Sequence, residues 1–357
     1  MFKGLEGLRC WLAWAVVLGH AVGMTPLFFS PAHALTFMAS MAVLIFVIIS
    51  GFVITHLLLT KQESFGIYIL RRALRIYPAY LVGLLLGIIM LSPGMELVGA
   101  ARMWPGQLDS FRLAFQGFHE HPIEHLLLHL SLLHGLVANT VLSEAHYMFL
   151  PPAWSLSLEW QFYLIAPVFV LGVRRYPLGT VLLILLGLWL YRKGLLGSFY
   201  NPSILAGAGW YFLIGIATRI FIDRVPVFGK YPFAMLMSAV PLLMINPELL
   251  PIVAWLGAVL YLRTDTKWWV LDGSLPKYLG ERSFSVYILH YPLLTGSAWF
   301  SYRWLSLDEG QGTALTIGLA LISTVIFSEL VYRYVERPAI NLGKRLGREP
   351  RPASQGW

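Results

Sequence analysis

Glu6-Gly7-Leu8-Arg9-Cys10-Trp11-Leu12-Ala13-Trp14-Ala15-Val16-Val17-Leu18-Gly19-His20 is an apolar run with a guanidinium at its mouth and an imidazole inside it. Ionisable groups at membrane depth are costly, and those that persist there usually serve function. Arg9 and His20 are 11 positions apart. On an α-helix that spacing is about 1,100° of rotation and roughly 16 Å of rise, so both side chains fall on nearly one face. A cation near the membrane edge and an imidazole near its middle suit a polyanionic ligand held at the surface while its reactive end reaches a base inside.

Composition around this run excludes a soluble domain. Hydrophobic residues make up 57% of the 357, charged residues only 12%, and the mean hydropathy is +0.68; a globular domain of this size is far more polar. The 13 Trp and 17 Tyr suit rings anchored at membrane interfaces. The single cysteine, Cys10, excludes an intrachain disulfide and reads as a packing residue. Apolar runs of bilayer length or slightly less cover residues 8–26, 37–60, 76–93, 154–172, 178–192, 205–221, 233–246, 249–263, 285–304 and 313–333. They are continuous rather than alternating with period two, which excludes a barrel. The expected fold is all-α, a polytopic membrane bundle of about ten helices.

With a cytoplasmic N-terminus, 21 of the 26 basic residues fall on the cytoplasmic side, leaving Arg102, Arg112, Arg192, Lys193 and Arg303 outside. The positive-inside rule therefore puts both termini in the cytoplasm. The net charge of +8 is a topology signal, answered by anionic lipid headgroups, and does not point to nucleic acid. Ala32-His33-Ala34 resembles a signal-peptidase site, but the preceding apolar stretch is too long and interrupted between Pro26 and Pro31, so the first helix is expected to be retained. One membrane domain is expected over residues 1–342, followed by a short basic cytoplasmic tail over 343–357, disordered by composition.

The stretch from Gly94 to Ala153 is the one long interval between spans, a length that usually carries function. Between residues 119 and 146 it holds His119, His121, His125, His129, His134 and His146. His125 and His129 stand at i, i+4, as zinc ligands do, yet Glu124 points off that face and no thiol is near. No metal is expected; the competing reading is an interfacial helix that carries its histidines on a wet face and covers the cavity.

Polar intrusions elsewhere are regular. Ser50-Gly51 in the second span suits close helix approach. Arg71, Arg72 and Arg75, ahead of the third span, set three guanidiniums on about one turn; they match phosphate geometry and equally a positive-inside flank. Trp154-Ser155-Leu156-Ser157-Leu158-Glu159 opens the fourth span with a carboxylate beside two hydroxyls, able to orient a histidine or a substrate hydroxyl, or simply to meet the helix dipole. Tyr287 and His290 share a face of the ninth span, where a lone histidine is read as hydrogen-bonded across helices. Glu336-Arg337-Pro338 reads as a cytoplasmic stop.

Taken in order, the Arg9 to His20 spacing, Ser50-Gly51-Phe52, Arg71 to Pro78, Trp154-Ser155-Leu156-Ser157 with Glu159 and Phe162-Tyr163, Ser283 to Pro292, and Glu336-Arg337-Pro338 resemble the acyltransferase 3 family of integral-membrane acyltransferases over nearly the whole chain. The resemblance implies ten helices and transfer of an acyl group, commonly acetyl from acetyl-coenzyme A, to a hydroxyl of an extracytoplasmic or lipid-linked glycan. It also implies that Arg9 and His20 match the family's essential arginine and histidine. Glu6 stands where the family usually has Asp, Cys10 where Gly is common, Trp160 where a second acidic residue is common, and Phe284 where Tyr is usual. The Trp160 departure leaves Glu159 the only carboxylate of its motif. Some members continue into a soluble hydrolase-like domain; none follows the last span here, so direct acylation or a separate extracytoplasmic partner is expected.

The mechanism expected from these residues holds coenzyme phosphates on Arg9, Arg71, Arg72 and Arg75 at the cytoplasmic face. His20 acts as base on the acceptor hydroxyl, or as a transient acyl carrier, and Glu159 orients it or the acceptor. Glu6, Ser155, Ser157, Tyr287 and His290 support the site. No permanently bound cofactor is expected; the partners are the coenzyme A thioester, a saccharide or glycolipid acceptor and membrane lipids, in a bacterial plasma membrane. Two other classes fit ten spans with buried charges. A transporter exporting a glycan or lipid would use His20 and Glu159 as a proton relay, though no inverted repeat is visible. A non-catalytic scaffold would tolerate changes at Arg9 and His20.

Overall fold

A computed structural model of the protein describes residues 4–99, 105–224, 246–264, 267–305 and 308–346. All regular structure among them is helical. The helices are α1 (Leu5–Gly23), α2 (Ala34–Thr60), α3 (Phe65–Ile89), α4 (Leu91–Gly99), α5 (Pro105–Glu120), α6 (Pro122–Leu130), α7 (Trp154–Arg175), α8 (Pro177–Arg192) and α9 (Leu205–Phe221). Beyond residue 246 come α10 (Leu250–Leu262), α11 (Trp269–Asp272), α12 (Ser274–Glu281), α13 (Ser283–Trp304), α14 (Glu309–Val331), a π turn over Tyr332–Glu336 and α15 (Arg337–Leu346).

Among the described residues six helical stretches are long and apolar enough to cross a membrane: Leu5–Gly23, Pro31–Thr60, Phe65–Ile89, Pro151–Arg175, Leu205–Arg224 and Glu309–Leu346. Two further expected spans are apolar but shorter, Pro177–Arg192 and Pro247–Leu262. The expected span over 285–304 is a helix of 22 residues, α13, whose many hydroxyls and His290 lower its hydropathy. The expected span over 233–246 lies outside the described residues, apart from Asn246. The described residues are thus those of an all-helical integral membrane protein, with six helices among them long and apolar enough to span, and the expected count of ten is not confirmed.

α2 is apolar on every side, and its middle, from Ala42 to Ile45 and Val47 to Phe52, is buried; a helix of that pattern belongs at the centre of a bundle. It packs against α1 on one side and α9 on the other. Small residues set the second contact, since a Cβ on Gly51 would lie 2.5 Å from the Phe212 carbonyl oxygen and one on Gly215 2.1 Å from that of Ile48. Backbones this close gain dispersion that lipid tails cannot match. Gly→Ala normally stabilises a helix by about 1 kcal/mol, yet Gly215→Ala is expected to wedge α2 from α9 and reduce the yield of monodisperse protein on size exclusion after detergent extraction. Gly209→Ala, whose Cβ would meet nothing within 4 Å, should extract like the parent.

Two helix boundaries differ from expectation. α3 begins at Phe65 rather than near residue 76, capped by Ser64, whose hydroxyl accepts from the Ile67 amide at 3.4 Å. The arginine cluster therefore lies within the helix instead of ahead of it. The second correction concerns Glu336-Arg337-Pro338, which does not end the last helix. The π turn over Tyr332–Glu336 shifts the hydrogen-bond ladder just before Pro338, where a missing amide donor costs least, and the helix continues to Leu346. The expected start of the tail at residue 343 falls inside α15; residues 347–357 lie outside the described residues.

Candidate functional site

A cavity of about 610 Å³ opens between α1, α2, α3, α7, α13 and α15. Six cationic side chains line it, Arg9, Arg71, Arg72, Arg75, Arg337 and Lys344, against three carboxylates, Glu6, Glu159 and Glu281. The balance favours an anion. Arg337, Asn341 and Lys344 are exposed and form its rim, whereas Ser50, Ser155 and Tyr287 are buried at its inner parts. Close backbone approach places the N-terminal end of α1 on this wall: a Cβ on Gly280 would lie 1.9 Å from the Glu6 carbonyl oxygen.

The arginines are not equivalent. Arg71 is ion-paired and hydrogen-bonded to Glu63. Arg75 lies 3.5 Å from Glu336, a carboxylate only 1% exposed that also accepts from the Ser285 hydroxyl at 2.6 Å. Arg9 lies 3.7 Å from Glu6. Arg72 has no carboxylate partner among the described residues; its Nε is buried without a hydrogen bond, and its guanidinium lies 5.8 Å from the Tyr163 ring centroid. A guanidinium with donors to spare, facing a cavity, is where a phosphate would find unfilled hydrogen bonds.

Glu159 also lines the cavity. Its Oε1 accepts from the Ser50 hydroxyl at 2.7 Å and the Tyr163 hydroxyl at 2.5 Å, so Ser50 does more than permit helix approach. No hydrogen bond joins Glu159 to His20. At the inner end the Tyr287 hydroxyl donates to the Pro152 carbonyl at 2.9 Å, with the Ser155 hydroxyl 2.7 Å away. Ser157 faces elsewhere, accepting from the Gly135 amide at 3.0 Å and tying α7 to the turn before it.

His20 does not line this cavity. It lies beyond the inner wall, half-buried, with its Nδ1 3.1 Å from His290 Nε2, and the His290 ring is 5.9 Å from that of Tyr287. On its far side His20 meets Tyr291 edge-on at 5.3 Å, and the Tyr291 hydroxyl is 3.1 Å from that of Tyr147. Arg9 and His20 are thus connected through Tyr287 and His290 instead of sharing one void. Spacing along α1 sets their common face; it says nothing of the α13 side chains inserted between them.

The histidine-rich stretch is also placed differently. None of its residues lines the cavity, and His125, His129 and His134 are buried rather than wet. The Tyr77 and Tyr80 hydroxyls of α3 donate to the Ser131 and His129 carbonyls at 3.0 and 2.9 Å, pulling α6 inward. The His129 and His134 rings stack 4.2 Å apart. Among the described residues no group of three His, Cys, Asp or Glu side chains converges as a metal site would.

Glu144, in the turns between α6 and α7, is buried at positive φ, 54°. Burial pushes its carboxyl from the ordinary 4.5 up to about 7. The folded protein holds a proton that the unfolded chain releases, so the stability this group contributes is present below 4.5 and lost as pH rises to 7. Glu144→Gln, always neutral, is expected to raise the thermal midpoint at pH 8 and leave it nearly unchanged at pH 4.

Ser50, Tyr163 and Ser285 lie in motifs that the sequence offered for helix packing or family resemblance and not as site residues, and the α15 residues join the site without a distinctive sequence signal. Glu336 is a carboxylate just after an apolar run, but the proline two residues later makes it read as a helix stop. The comparison that decides the chemistry is the family model for an acyltransferase domain, which matches residues 2–333. The chain belongs to the acyltransferase 3 family. It is similar to "Acyltransferase MdmB" of Streptomyces mycarofaciens, 25% identical over 410 aligned positions that cover 98% of this chain and 95% of that protein. It is also similar to "Putative O-acetyltransferase SACOL0978" and "Putative O-acetyltransferase SAS0844" of two Staphylococcus aureus strains, COL and MSSA476. Each is 23% identical over 82% of this chain, and the match spans 51%, about half, of each relative. No solved structure matches the chain. An acyltransferase 3 member is an enzyme, so the scaffold and transporter readings give way.

Proposed function

We propose that this acyltransferase moves an acyl group, acetyl from acetyl-coenzyme A, to a hydroxyl of an extracytoplasmic or lipid-linked saccharide. The reading places it in a bacterial plasma membrane with both termini cytoplasmic and ten helices across the bilayer. The observation that carries it is the cavity whose cationic rim leads inward to Ser155 and Tyr287, with one histidine, His290, between Tyr287 and His20. A ligand with a polyanionic head and a thin neutral arm matches that gradient from charge to hydroxyls.

In this mechanism the coenzyme phosphates meet Arg72, with Arg9, Arg71 and Arg75 supplying the surrounding positive field. Arg71 and Arg75 are held in place by Glu63 and Glu336, which limits their freedom to chelate and fixes their direction. The acceptor hydroxyl, a poor nucleophile at neutral pH, loses its proton to neutral His20 as its oxygen attacks the thioester carbonyl. The carbon–sulfur bond then breaks, and the proton passes to the departing thiolate, giving the ester and free coenzyme A. Glu159, held by Ser50 and Tyr163, acts on the cavity side and not on His20 itself.

Membranes carrying the protein, incubated with radiolabelled acetyl-coenzyme A, should yield a labelled saccharide or glycolipid absent from membranes that lack it. Label recovered in no saccharide or lipid fraction would overturn the proposal, and label on an amine would redirect the acceptor assignment.

A further inference from the structure

Three contacts surround the two intramembrane imidazoles, and only one assignment of protons satisfies all of them. Val286 offers its carbonyl oxygen 3.3 Å from His290 Nδ1. A carbonyl can only accept, so His290 carries its proton on Nδ1 and presents a bare lone pair at Nε2. Val16 likewise offers its carbonyl 3.0 Å from His20 Nδ1, which requires a proton on that nitrogen too. The His290 Nε2 lone pair lies 3.1 Å from the same His20 Nδ1. One N–H on His20, shared between the Val16 oxygen and His290 Nε2, fits both acceptors. The opposite tautomers would set lone pair against lone pair at both carbonyls, in surroundings where His290 is 1% exposed and water cannot relieve the conflict.

We infer that His290 is a positioning residue that holds His20 in its Nδ1–H form, leaving His20 Nε2 as the nitrogen that performs the chemistry. The inference rests on the acyl-transfer reading for its consequence, though the tautomer itself does not. No carboxylate or guanidinium among the described residues hydrogen-bonds either ring. The nearby titratable groups on packed elements are the phenols of Tyr287, Tyr291 and Tyr147. His290 is therefore the side chain that supports the positive charge on His20. When Nε2 takes the acceptor's proton, the Nδ1–H becomes a charged donor, and its hydrogen bond to His290 Nε2 strengthens in the transition state. An interaction that strengthens there raises kcat and leaves donor binding alone.

The test compares purified wild type, His290→Ala and His290→Gln, the last having a side-chain carbonyl able to accept from His20. Loss of a hydrogen bond to a developing charge should lower kcat about ten- to hundredfold in His290→Ala, with the KM for acetyl-coenzyme A unchanged within about twofold. His290→Gln should recover most of the lost rate. Nitrogen NMR on histidine-labelled wild type, assigned with His20→Gln, should show His20 protonated at Nδ1 and bare at Nε2. A His20 protonated at Nε2 overturns the inference, as does a His290→Ala enzyme with unchanged kcat, or equal losses in both variants with KM raised. Should His290→Ala fail to fold, the NMR measurement on wild type decides alone. Should wild type transfer no acyl group, the functional reading falls while the tautomer measurement still stands or fails by itself.

Discussion

His20→Ala is expected to lower acyl transfer by ~100- to 10,000-fold, the range a general base contributes, while acetyl-coenzyme A still binds. The physical reason is that a sugar hydroxyl holds its proton firmly at neutral pH, and no other imidazole or carboxylate is hydrogen-bonded to His20 in a position to replace it except His290, whose Nε2 lone pair is turned toward His20. The measurement is single-turnover acylation in membranes alongside equilibrium binding of labelled coenzyme. Retained transfer would remove His20 from the chemistry. Loss of both transfer and binding would show that the change damaged the bundle, since His20 is not among the residues lining the cationic cavity.

Arg72→Leu carries the second large effect. A charge-assisted hydrogen bond to phosphate contributes about 1.5–3 kcal/mol, so the KM for acetyl-coenzyme A should rise about ten- to hundredfold, with kcat approaching wild type at saturating donor. Among the three clustered arginines this is the clean test, because Arg72 has no carboxylate to leave stranded. Arg75→Leu would leave Glu336 buried beside Ser285 without its cation, a loss of about 3–5 kcal/mol for breaking a buried pair, so its main readout is stability. If Arg72→Leu left the donor KM unchanged while Arg75→Leu remained stable, the assignment of the cavity to the donor would be wrong.

The helical class, the membrane environment and most spans were legible from hydropathy alone, because continuous apolar runs admit few other structures in a bilayer. The spacing from Arg9 to His20 correctly set both on one helix, but what stands between them comes from α13, nearly the whole chain away. The arginine triplet could be seen but not ranked, since the carboxylates that distinguish its members sit at Glu63 and Glu336. Pro338 pointed to a stop because a proline normally removes a ladder bond; a π turn immediately before it is invisible to propensity. The wet-face reading of His125 and His129 failed for a similar reason, because two tyrosine hydroxyls on α3 hold that helix against the bundle.

The most direct measurement is a cryo-electron microscopy map of the protein with a non-hydrolysable acetyl-coenzyme A analogue. The account predicts phosphate density against Arg72 at the cationic rim and the thioester end beside Ser155 and Tyr287, on the His290 and His20 side. Density for the analogue on another face of the bundle, or with its acyl end turned away from that pair, would contradict it.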